Sequence, residues 1–572
     1  MSVKQSEWPL RYLEDGADLG DVAVVERYFA DLQLRNLSTP AALDEWLLHW
    51  AELDAWLDEE GSVRYVDMTS HTDDERIEKR YLGFIELIVP LARARSNSLD
   101  RKLLECPHRS GLSPDRFGTF VRRVENRVRL FREENIPLKT QDEKLRQQYQ
   151  KLVGGLTVQF EGREQTLQQM ALYLERTDRA VRQQAWELVA AKWLLVQEDI
   201  ESLYDRMVAV RHRMAVNADL PDYRAYAFRE LERFDYTAED CTAFAESIAK
   251  RLVPAARELG ARRKALLGVD RLRPWDMAVD PRGREPLTPF TTSGELLDGC
   301  ERIFGSVDAA LGAQFSRMRA AGLLDLESRK GKAPGGYMMD FKGRRVPFIF
   351  MNAVGTHDDV QTLLHEGGHA FHAFAARDED ITFLRDAPIE FAEVASMGME
   401  MIAGAHLDVF YEPPDAARAW QEHLEGVLCF FPYMATIDQL QHWAYTHPDH
   451  RREERRAHWQ ALNRRFADWV DFSGHEDALA FAWHRKGHPF TVPFYYVEYG
   501  IAQLGALGVW MNSLADRDGA IGAYRRGLAL GGRKPLPELF AAAGVRFDFS
   551  EGTIAPAVAA VEAVLNAAEK SS

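Results

Sequence analysis

The most restrictive feature of the sequence is the segment His365-Glu366-Gly367-Gly368-His369. In a helix, residues four positions apart lie on one face, so His365 and His369 stack one turn apart, as two ligands of a single metal ion must. Two neutral imidazoles and a carboxylate suit zinc, and a catalytic zinc keeps one further position for water. The sequence therefore predicts a zinc-binding helix.

The residues around this segment favour a helix. Thr356 and Asp359 have the spacing of a capping box, which marks a helix start. Apolar or small residues then recur every three or four positions, at Val360, Leu364, Gly367, Phe371 and Phe374. This pattern predicts a buried helix of about twenty residues. Gly367 and Gly368 each cost about 1 kcal/mol relative to alanine within a helix, so we expect another backbone to pack closely there.

A third zinc ligand can come from the same segment or from a second helix. In metzincins a histidine occupies the tenth position after the first, but that position is Ala375 here, which argues against this class. Asp386 and Pro388 predict the start of a second helix, with Asp386 as the N-cap and the proline in the first turn. A glutamate of that helix is then the expected ligand.

Three glutamates, Glu390, Glu393 and Glu400, share one face of this otherwise apolar second helix. A solvated helix face is the alternative interpretation of such a pattern. Next to a zinc-binding helix, the pair Glu390 and Glu393 instead supplies one ligand and one group that orients a ligating histidine.

Two segments, residues 365–372 and residues 391–396, together resemble the signature of the oligoendopeptidase F and thimet oligopeptidase family of zinc metallopeptidases. The resemblance implies that His365, His369 and Glu393 bind one zinc ion per chain. Glu366 is then the general base, which accepts the proton of the attacking water and later delivers it to the departing amine. Glu390 and His372 are expected to support the site without binding the metal.

A further segment, residues 488–500, is similar to the histidine and tyrosine substrate-binding segment of the same family. From it we predict that His488, Tyr496 and Tyr499 donate hydrogen bonds to the substrate, with Tyr495 as a weaker candidate. In the thimet branch the histidine precedes the paired tyrosines by one more residue, so the roles of the individual tyrosines stay open. Aromatic packing in a helix core is the alternative, and His484 is the alternative to His488.

Residues 333–355 are the only strongly strand-like region of the sequence. Residues 335–339 and 346–351 flank a predicted hairpin loop, and Pro347 predicts that the second strand is an edge strand or carries a bulge. An extended peptide can add to such an edge. We therefore predict substrate contacts for a set of residues here and beyond, namely Gly335, Gly336, Tyr337, Phe348, Phe350 and Tyr495. An ordinary small sheet that covers the core is the alternative.

The rest of the chain is predicted to be mainly α. A hairpin near residues 154–162 suggests a boundary between an N-terminal helical region (1–155), expected to form a lid or cleft wall, and a zinc metallopeptidase region (156–572). A proline-rich, non-helical connection is predicted at 268–292. The family resemblance implies a large, two-lobed, multi-helix architecture with a deep central cleft and a small β-sheet beside the zinc helix.

Charge and composition exclude several classes of partner. The net charge is −17, from 88 acidic and 71 basic residues, which disfavours nucleic acid and anionic membranes. The first ten residues lack the pattern of a signal peptide, and no obligate protein partner is evident. Four scattered cysteines, Cys106, Cys241, Cys300 and Cys429, indicate neither a disulfide framework nor a thiolate zinc site. A reducing, cytoplasmic setting is expected.

The histidines His442, His447, His450 and His458 show no ligand spacing with a carboxylate motif and are interpreted as surface or core residues. The predicted function is therefore that of a zinc-dependent endopeptidase that hydrolyses internal bonds of short, unstructured oligopeptides. Terminal trimming of the dipeptidyl carboxypeptidase type is an alternative. A noncatalytic, zinc-stabilised, helical peptide-binding protein is another.

Overall fold

The computed structural model describes residues 7–571, so the first six residues of the segment inspected for a signal peptide lie outside it. The described chain is mostly helical, with two small β-sheets, which confirms the predicted mainly α class. Among the described residues, no helix combines the length and the apolar character needed to cross a membrane.

The helices in the first half of the chain are α1 (Val22–Leu34), α2 (Pro40–Ser70), α3 (Glu75–Gly83), α4 (Val89–Glu105), α5 (Pro114–Leu130), α6 (Asn135–Gly154), α7 (Leu167–Ala171), α8 (Arg179–Leu195), α9 (Gln197–Asn217), α10 (Tyr223–Glu230) and α11 (Ala238–Leu267). A π-helical turn (Phe84–Ile88) joins α3 to α4. The next helices are α12 (Ser293–Val307), α13 (Ala309–Ala320), α14 (His357–Ala376), α15 (Ile389–Ala403), α16 (Pro413–Thr446) and α17 (Arg452–Phe466). The last are α18 (Glu476–Ala480), α19 (His488–Thr491), α20 (Tyr496–Ala515), α21 (Arg517–Leu528), α22 (Leu536–Ala542) and α23 (Glu551–Ser571).

The chain divides into two compact units. Unit 1 comprises Met1–Arg129, Thr288–Ala419 and Gly505–Phe547, and unit 2 comprises Leu130–Leu287, Trp420–Leu504 and Asp548–Ser572. The predicted boundary at residue 155 falls inside unit 2, just after α6. The division into a lid region and a catalytic region stays a prediction, as does the cleft.

Unit 1 contains a core of aromatic side chains from its N-terminal helices. Thr39 caps α2 and Pro40 occupies its first turn. One turn apart on α2, Trp46 and Trp50 are 0% and 2% exposed, and the ring of Trp50 packs against Phe383. Both tryptophans are therefore core residues.

The hairpin predicted near residue 160 exists as β1 (Thr157–Phe160) and β2 (Arg163–Thr166), which pair antiparallel. The predicted connection between α11 and α12 contains only the short 3-10 turn Pro274–Asp276 among its described residues. Both predictions depend on turn residues that act locally, namely the Glu161-Gly162 pair with positive φ and the run of prolines.

The second sheet lies in unit 1 and consists of β3 (Leu324–Glu327), β4 (Tyr337–Phe341) and β5 (Val346–Ala353), in the order β3-β5-β4. The edge alternative predicted from Pro347 was wrong, because β5 is the central strand. The bulge alternative agrees with the structure, since β5 has one residue more than β3 between the pairs at Phe350 and Ala353. Its pairing with β3 begins only at Ile349, so Pro347 lies beyond the last β3 partner and its missing N–H interrupts no ladder. The edge strand of the predicted hairpin is instead β4.

The sheet leads directly into the predicted zinc helix. Gly355 lies between β5 and α14 with φ of +102°, a conformation that glycine adopts without strain. A Cβ at this position would also lie 3.1 Å from the carbonyl oxygen of Phe290. The turn therefore needs glycine, and it fixes the start of α14 beside the sheet.

Candidate metal centre

The predicted metal-binding helix is α14, which spans 20 residues. Its N-terminus has the predicted capping box, in which Thr356 accepts from the N–H of Asp359 and the Asp359 carboxylate accepts from the N–H of Thr356. The same carboxylate also accepts from the N–H groups of Val354 and Gly355 at 2.9 Å each. These bonds satisfy donors that a helix start leaves open, and they fix the direction from which α14 leaves the sheet.

The expected close approach of a second backbone occurs at Gly368. A Cβ on Gly368 would lie 2.4 Å from the carbonyl oxygen of Ala395 and 2.6 Å from the Cα of Ser396, both in the backbone of α15. At Gly367 the corresponding neighbour is a side chain, the ring of Phe304, at 2.5 Å. The glycine at 368 therefore allows α14 and α15 to pack at a separation that alanine would prevent.

The second helix begins later than predicted. Its N-cap is Pro388, and Asp386 does not cap it. The Asp386 carboxylate instead lies 2.7 Å from the ammonium group of Lys342, in the turn between β4 and β5. The carboxylate that the local pattern predicted to cap α15 thus forms an ion pair with a residue distant in the sequence.

Three side chains converge where α14 and α15 pack. Nε2 of His365 lies 3.4 Å from Oε2 of Glu393, and Nε2 of His369 lies 3.5 Å from the same oxygen. One ligand atom of each residue lies within 4.8 Å of the others. Ligands at about 2.1 Å from a tetrahedral zinc are separated by about 3.4 Å. The spacing of these atoms therefore fits a zinc ion held by two imidazoles and one carboxylate.

The three candidate ligands differ in how exposed their side chains are. His365 and His369 keep 24% and 16% of their side-chain exposure, whereas Glu393 keeps 6%. The carboxylate is therefore held from behind, within the protein, and the imidazoles face the accessible side. A catalytic zinc needs such an accessible side for a water molecule or a substrate oxygen.

Two further side chains hold these groups in position. Nδ1 of His365 lies 2.6 Å from Oε1 of Glu400, which orients the ring and directs Nε2 towards Glu393. The hydroxyl of Ser396 donates to Oε2 of Glu393 at 2.9 Å. The sequence placed Glu400 on the right helix face without giving it a role, and no pattern singled out Ser396. The available signal was the spacing along the helix. Ser396 follows Glu393 by three residues and Glu400 follows it by seven, which places both on the same helix face as Glu393.

Ser396→Ala is expected to weaken zinc binding about 10- to 100-fold, because the Glu393 carboxylate loses the donor that fixes its orientation. Competition against a chromophoric chelator measures this. Ser513→Ala is a matched control. Each of the two serine hydroxyls bonds to the backbone carbonyl three residues earlier in its helix, that of Glu393 for Ser396 and that of Trp510 for Ser513. Equal zinc affinity in both variants would contradict the orienting role of Ser396.

Glu366 is 7% exposed and lies beside the candidate ligands on α14. Burial raises the pKa of its carboxyl group, and the neighbouring imidazoles of His369 and His365 oppose that rise. The nearby backbone N–H of Met338, on the edge strand β4, opposes the rise in pKa as well. A carboxylate whose pKa lies above its usual range is a better proton acceptor, as a general base requires.

The remaining residues predicted for this region have mixed placements. Glu390 and His372 are buried at 2% and 7% exposure, and burial lowers the pKa of His372 to about 4. Their supporting role stays a prediction.

Phe348 and Phe350, on β5, are 1% and 0% exposed, so their side chains belong to the core. Tyr337, on β4, stacks on Phe350 with ring centroids 4.7 Å apart and stays partly exposed.

The predicted histidine and tyrosine segment forms a cluster within unit 2. The His488 ring lies 4.8 Å from Tyr496 and 5.9 Å from Tyr499, and Tyr495 lies 5.3 Å from Tyr499, measured between centroids. Tyr496 begins α20 and is 5% exposed. His484 is 0% exposed and bonds to Glu201 at 2.9 Å, which makes it a core residue.

Burial and the nearby charge of Lys486 lower the pKa of His488 to about 4. The imidazole is therefore neutral near pH 7, where it can offer one N–H donor. Burial also lowers the pKa of Lys486, to about 8, and its ammonium group lies 4.0 Å from the centroid of the Tyr496 ring. The cluster thus presents a neutral imidazole and phenol groups next to the ammonium group of Lys486.

Comparison with known proteins supports the resemblance noted from the motifs. The profile of Peptidase family M3 matches residues 172–556 of the chain, which is more than half of its 572 residues. This range includes the candidate zinc ligands and the histidine and tyrosine cluster.

Oligopeptidase A of Escherichia coli K12 is 27% identical over 265 residues, which cover 37% of this chain and 38% of that protein. Oligoendopeptidase F of Lactococcus lactis subsp. cremoris is 28% identical over 144 residues, which cover 24% of this chain and 23% of the relative. The matched regions therefore span well under two thirds of these relatives. The structure of PZ peptidase A with inhibitor 2 matches with a TM-score of 0.89 at 27% identity, covering 98% of both chains.

Proposed function

This chain belongs to peptidase family M3, and from that premise we propose that it is a zinc-dependent endopeptidase acting on internal bonds of short, unstructured peptides. The metallopeptidase class follows from the family. The identity of the metal, the residue roles and the substrate class are the proposal.

The observation that carries the proposal is the convergence of two imidazoles and one carboxylate on one point, with a buried glutamate beside them. His365, His369 and Glu393 have the spacing that zinc ligands need. When bound, zinc polarises the scissile carbonyl and makes water a usable nucleophile near neutral pH. Chelation is therefore expected to abolish peptide hydrolysis.

Glu366 supplies the proton transfers. Its carboxylate accepts a proton from the attacking water and delivers it to the amine of the departing fragment. Its burial favours the protonated form and so makes the later delivery easier, while the adjacent imidazoles favour the ionised form that accepts the proton first. Glu400 and Ser396 hold His365 and Glu393 in fixed orientations throughout.

The edge strand β4 is the proposed binding place for the substrate backbone. It is one of the two outer strands of its sheet, and the backbone N–H of its residue Met338 is near enough to Glu366 to lower the pKa of that carboxyl group. An extended peptide that adds to this edge is held by main-chain hydrogen bonds whatever its side chains. Gly335, Gly336 and Tyr337 remain in the proposed substrate contact. Phe348 and Phe350 do not, because they are buried.

His488, Tyr496 and Tyr499 are proposed to donate hydrogen bonds to the substrate, as the family resemblance implies. Tyr499→Phe removes one phenol donor and keeps the ring, so kcat is expected to fall about 100-fold or more with little change in KM. Tyr495→Phe is the control in the same cluster and should have a smaller effect. Full activity of both Tyr499→Phe and Tyr496→Phe would exclude the tyrosines as donors.

An internally quenched peptide tests the proposed activity. Hydrolysis should occur with the purified chain, stop on addition of a chelator and return when zinc is added. Mass analysis of the products then separates internal cleavage from removal of terminal dipeptides. Release of only terminal dipeptides would favour the carboxypeptidase alternative. Zinc binding without any hydrolysis would favour a peptide-binding protein.

We further propose a cytoplasmic setting with peptides as the only required partners. Among the described residues Cys106, Cys241, Cys300 and Cys429 form no disulfide, as a reducing compartment favours. The net charge of −17 disfavours binding to nucleic acid.

A further inference from the structure

Unit 2 contains a second group of side chains that can bind a metal. Cys241 lies in the first turn of α11, and Asp438 and His442 lie four residues apart on α16, so they share one face of that helix. All three residues are buried, with exposures of 2%, 1% and 5% respectively. Two helices from distant parts of the sequence therefore bring a thiol, a carboxylate and an imidazole together inside the protein.

The distances within this group are those of ligands around one ion. A ligand atom of each residue lies within 4.8 Å of the other two. Oδ2 of Asp438 and Nε2 of His442 are 3.2 Å apart. Oxygen and nitrogen ligands of a tetrahedral zinc are about 3.4 Å apart, and the longer bond to sulfur, about 2.3 Å, widens the spacing to a thiolate.

Three polar atoms of Asp438 and His442 lack the hydrogen bonds that burial demands. Among residues 7–571, neither ring nitrogen of His442 has a hydrogen-bond partner, since the nearby Asp438 oxygen is not aligned for one. Oδ1 of Asp438 is likewise unpartnered, while Oδ2 accepts from Gln439 at 3.2 Å. A buried imidazole without a hydrogen bond and a buried carboxylate with one unpartnered oxygen cost free energy, which a bound cation would offset.

We propose that Cys241, Asp438 and His442 bind a second zinc ion. The thiolate excludes calcium and magnesium, which prefer oxygen ligands, and the mixed sulfur, nitrogen and oxygen set suits zinc. Thiolate and aspartate together neutralise the charge of the ion in a buried place.

The rings of Phe228 and Phe494 surround the His442 imidazole, with centroids 5.9 Å and 5.3 Å away. These two rings, together with the burial of all three candidate ligands, separate the site from substrates. The second ion therefore joins α11 to α16 and has a structural role, separate from peptide hydrolysis.

Cobalt(II) distinguishes this site from the candidate catalytic centre. His365, His369 and Glu393 contain no sulfur, so a sulfur-to-cobalt charge-transfer band in the near ultraviolet reports only a site with a thiolate. The full chain produced in cobalt-supplemented medium should show this band. The zinc-grown protein should contain about two zinc ions per chain, one for each site.

Cys241→Ser should remove the band and lower the zinc content to about one ion per chain. Cys300→Ser, which changes another buried cysteine, should keep both the band and the second ion. If Cys241→Ser fails to fold, the wild-type spectrum decides the question alone, because a folded wild type without the band and with about one zinc ion would overturn the proposal. A band that persists in folded Cys241→Ser would overturn it as well.

Discussion

Glu366→Gln is expected to lower kcat by about 100- to 10,000-fold while the zinc content stays unchanged. The amide has the size of the carboxylate but cannot accept the proton of the attacking water. Zinc stays bound because Glu366 is not among the three converging ligands. Initial rates with a quenched peptide and elemental analysis of the same preparation measure the two quantities.

Glu366→Asp is the informative companion variant, because it keeps a carboxylate and withdraws it by one methylene group. It should retain more activity than Glu366→Gln. Undiminished hydrolysis by Glu366→Gln would mean that another group accepts the proton. Loss of zinc from Glu366→Gln would instead show that this side chain holds the metal.

Gly368→Ala is expected to lower zinc affinity at least about 10-fold and to destabilise the fold by about 1–3 kcal/mol. The new methyl group would meet the backbone of α15 at Ala395 and Ser396, at 2.4 and 2.6 Å. Backbone atoms cannot rotate away, so α15 must shift, and Glu393 shifts with it. The gain of about 1 kcal/mol from replacing a helical glycine is smaller than this cost.

Gly367→Ala is the matched control, because it brings the same gain in helix propensity at the neighbouring position. Its methyl group would meet the Phe304 ring at 2.5 Å, and a ring can move. Zinc competition and thermal unfolding should therefore show a smaller loss than for Gly368→Ala. Unchanged zinc affinity in Gly368→Ala would contradict the idea that close helix packing sets the ligand geometry.

The parts of the site that the sequence could predict are those set by local rules. The capping box of Thr356 and Asp359, the helical spacing of His365 and His369, and the glycine contact with a second backbone all depend on residues a few positions apart. The mainly α class follows from the same kind of local periodicity. The family resemblance added Glu393 as the partner from α15.

The parts that failed depend on contacts between distant segments. Asp386 has the sequence pattern of a helix cap, but it forms an ion pair with Lys342 in the turn between β4 and β5. The pattern around Pro347 allowed an edge strand because no local pattern indicated β3, whose pairing makes β5 the central strand. His442 is a core residue, as one of its two interpretations predicted, but its proximity to Cys241 could not be predicted because the two residues lie far apart in the sequence.

Anomalous diffraction at the zinc absorption edge tests the central claim most directly. For crystals grown with zinc, the claim predicts a peak about 2.0–2.2 Å from Nε2 of His365, Nε2 of His369 and a carboxylate oxygen of Glu393. Absence of a peak among these three atoms, with zinc supplied and the chain folded, would contradict the claim.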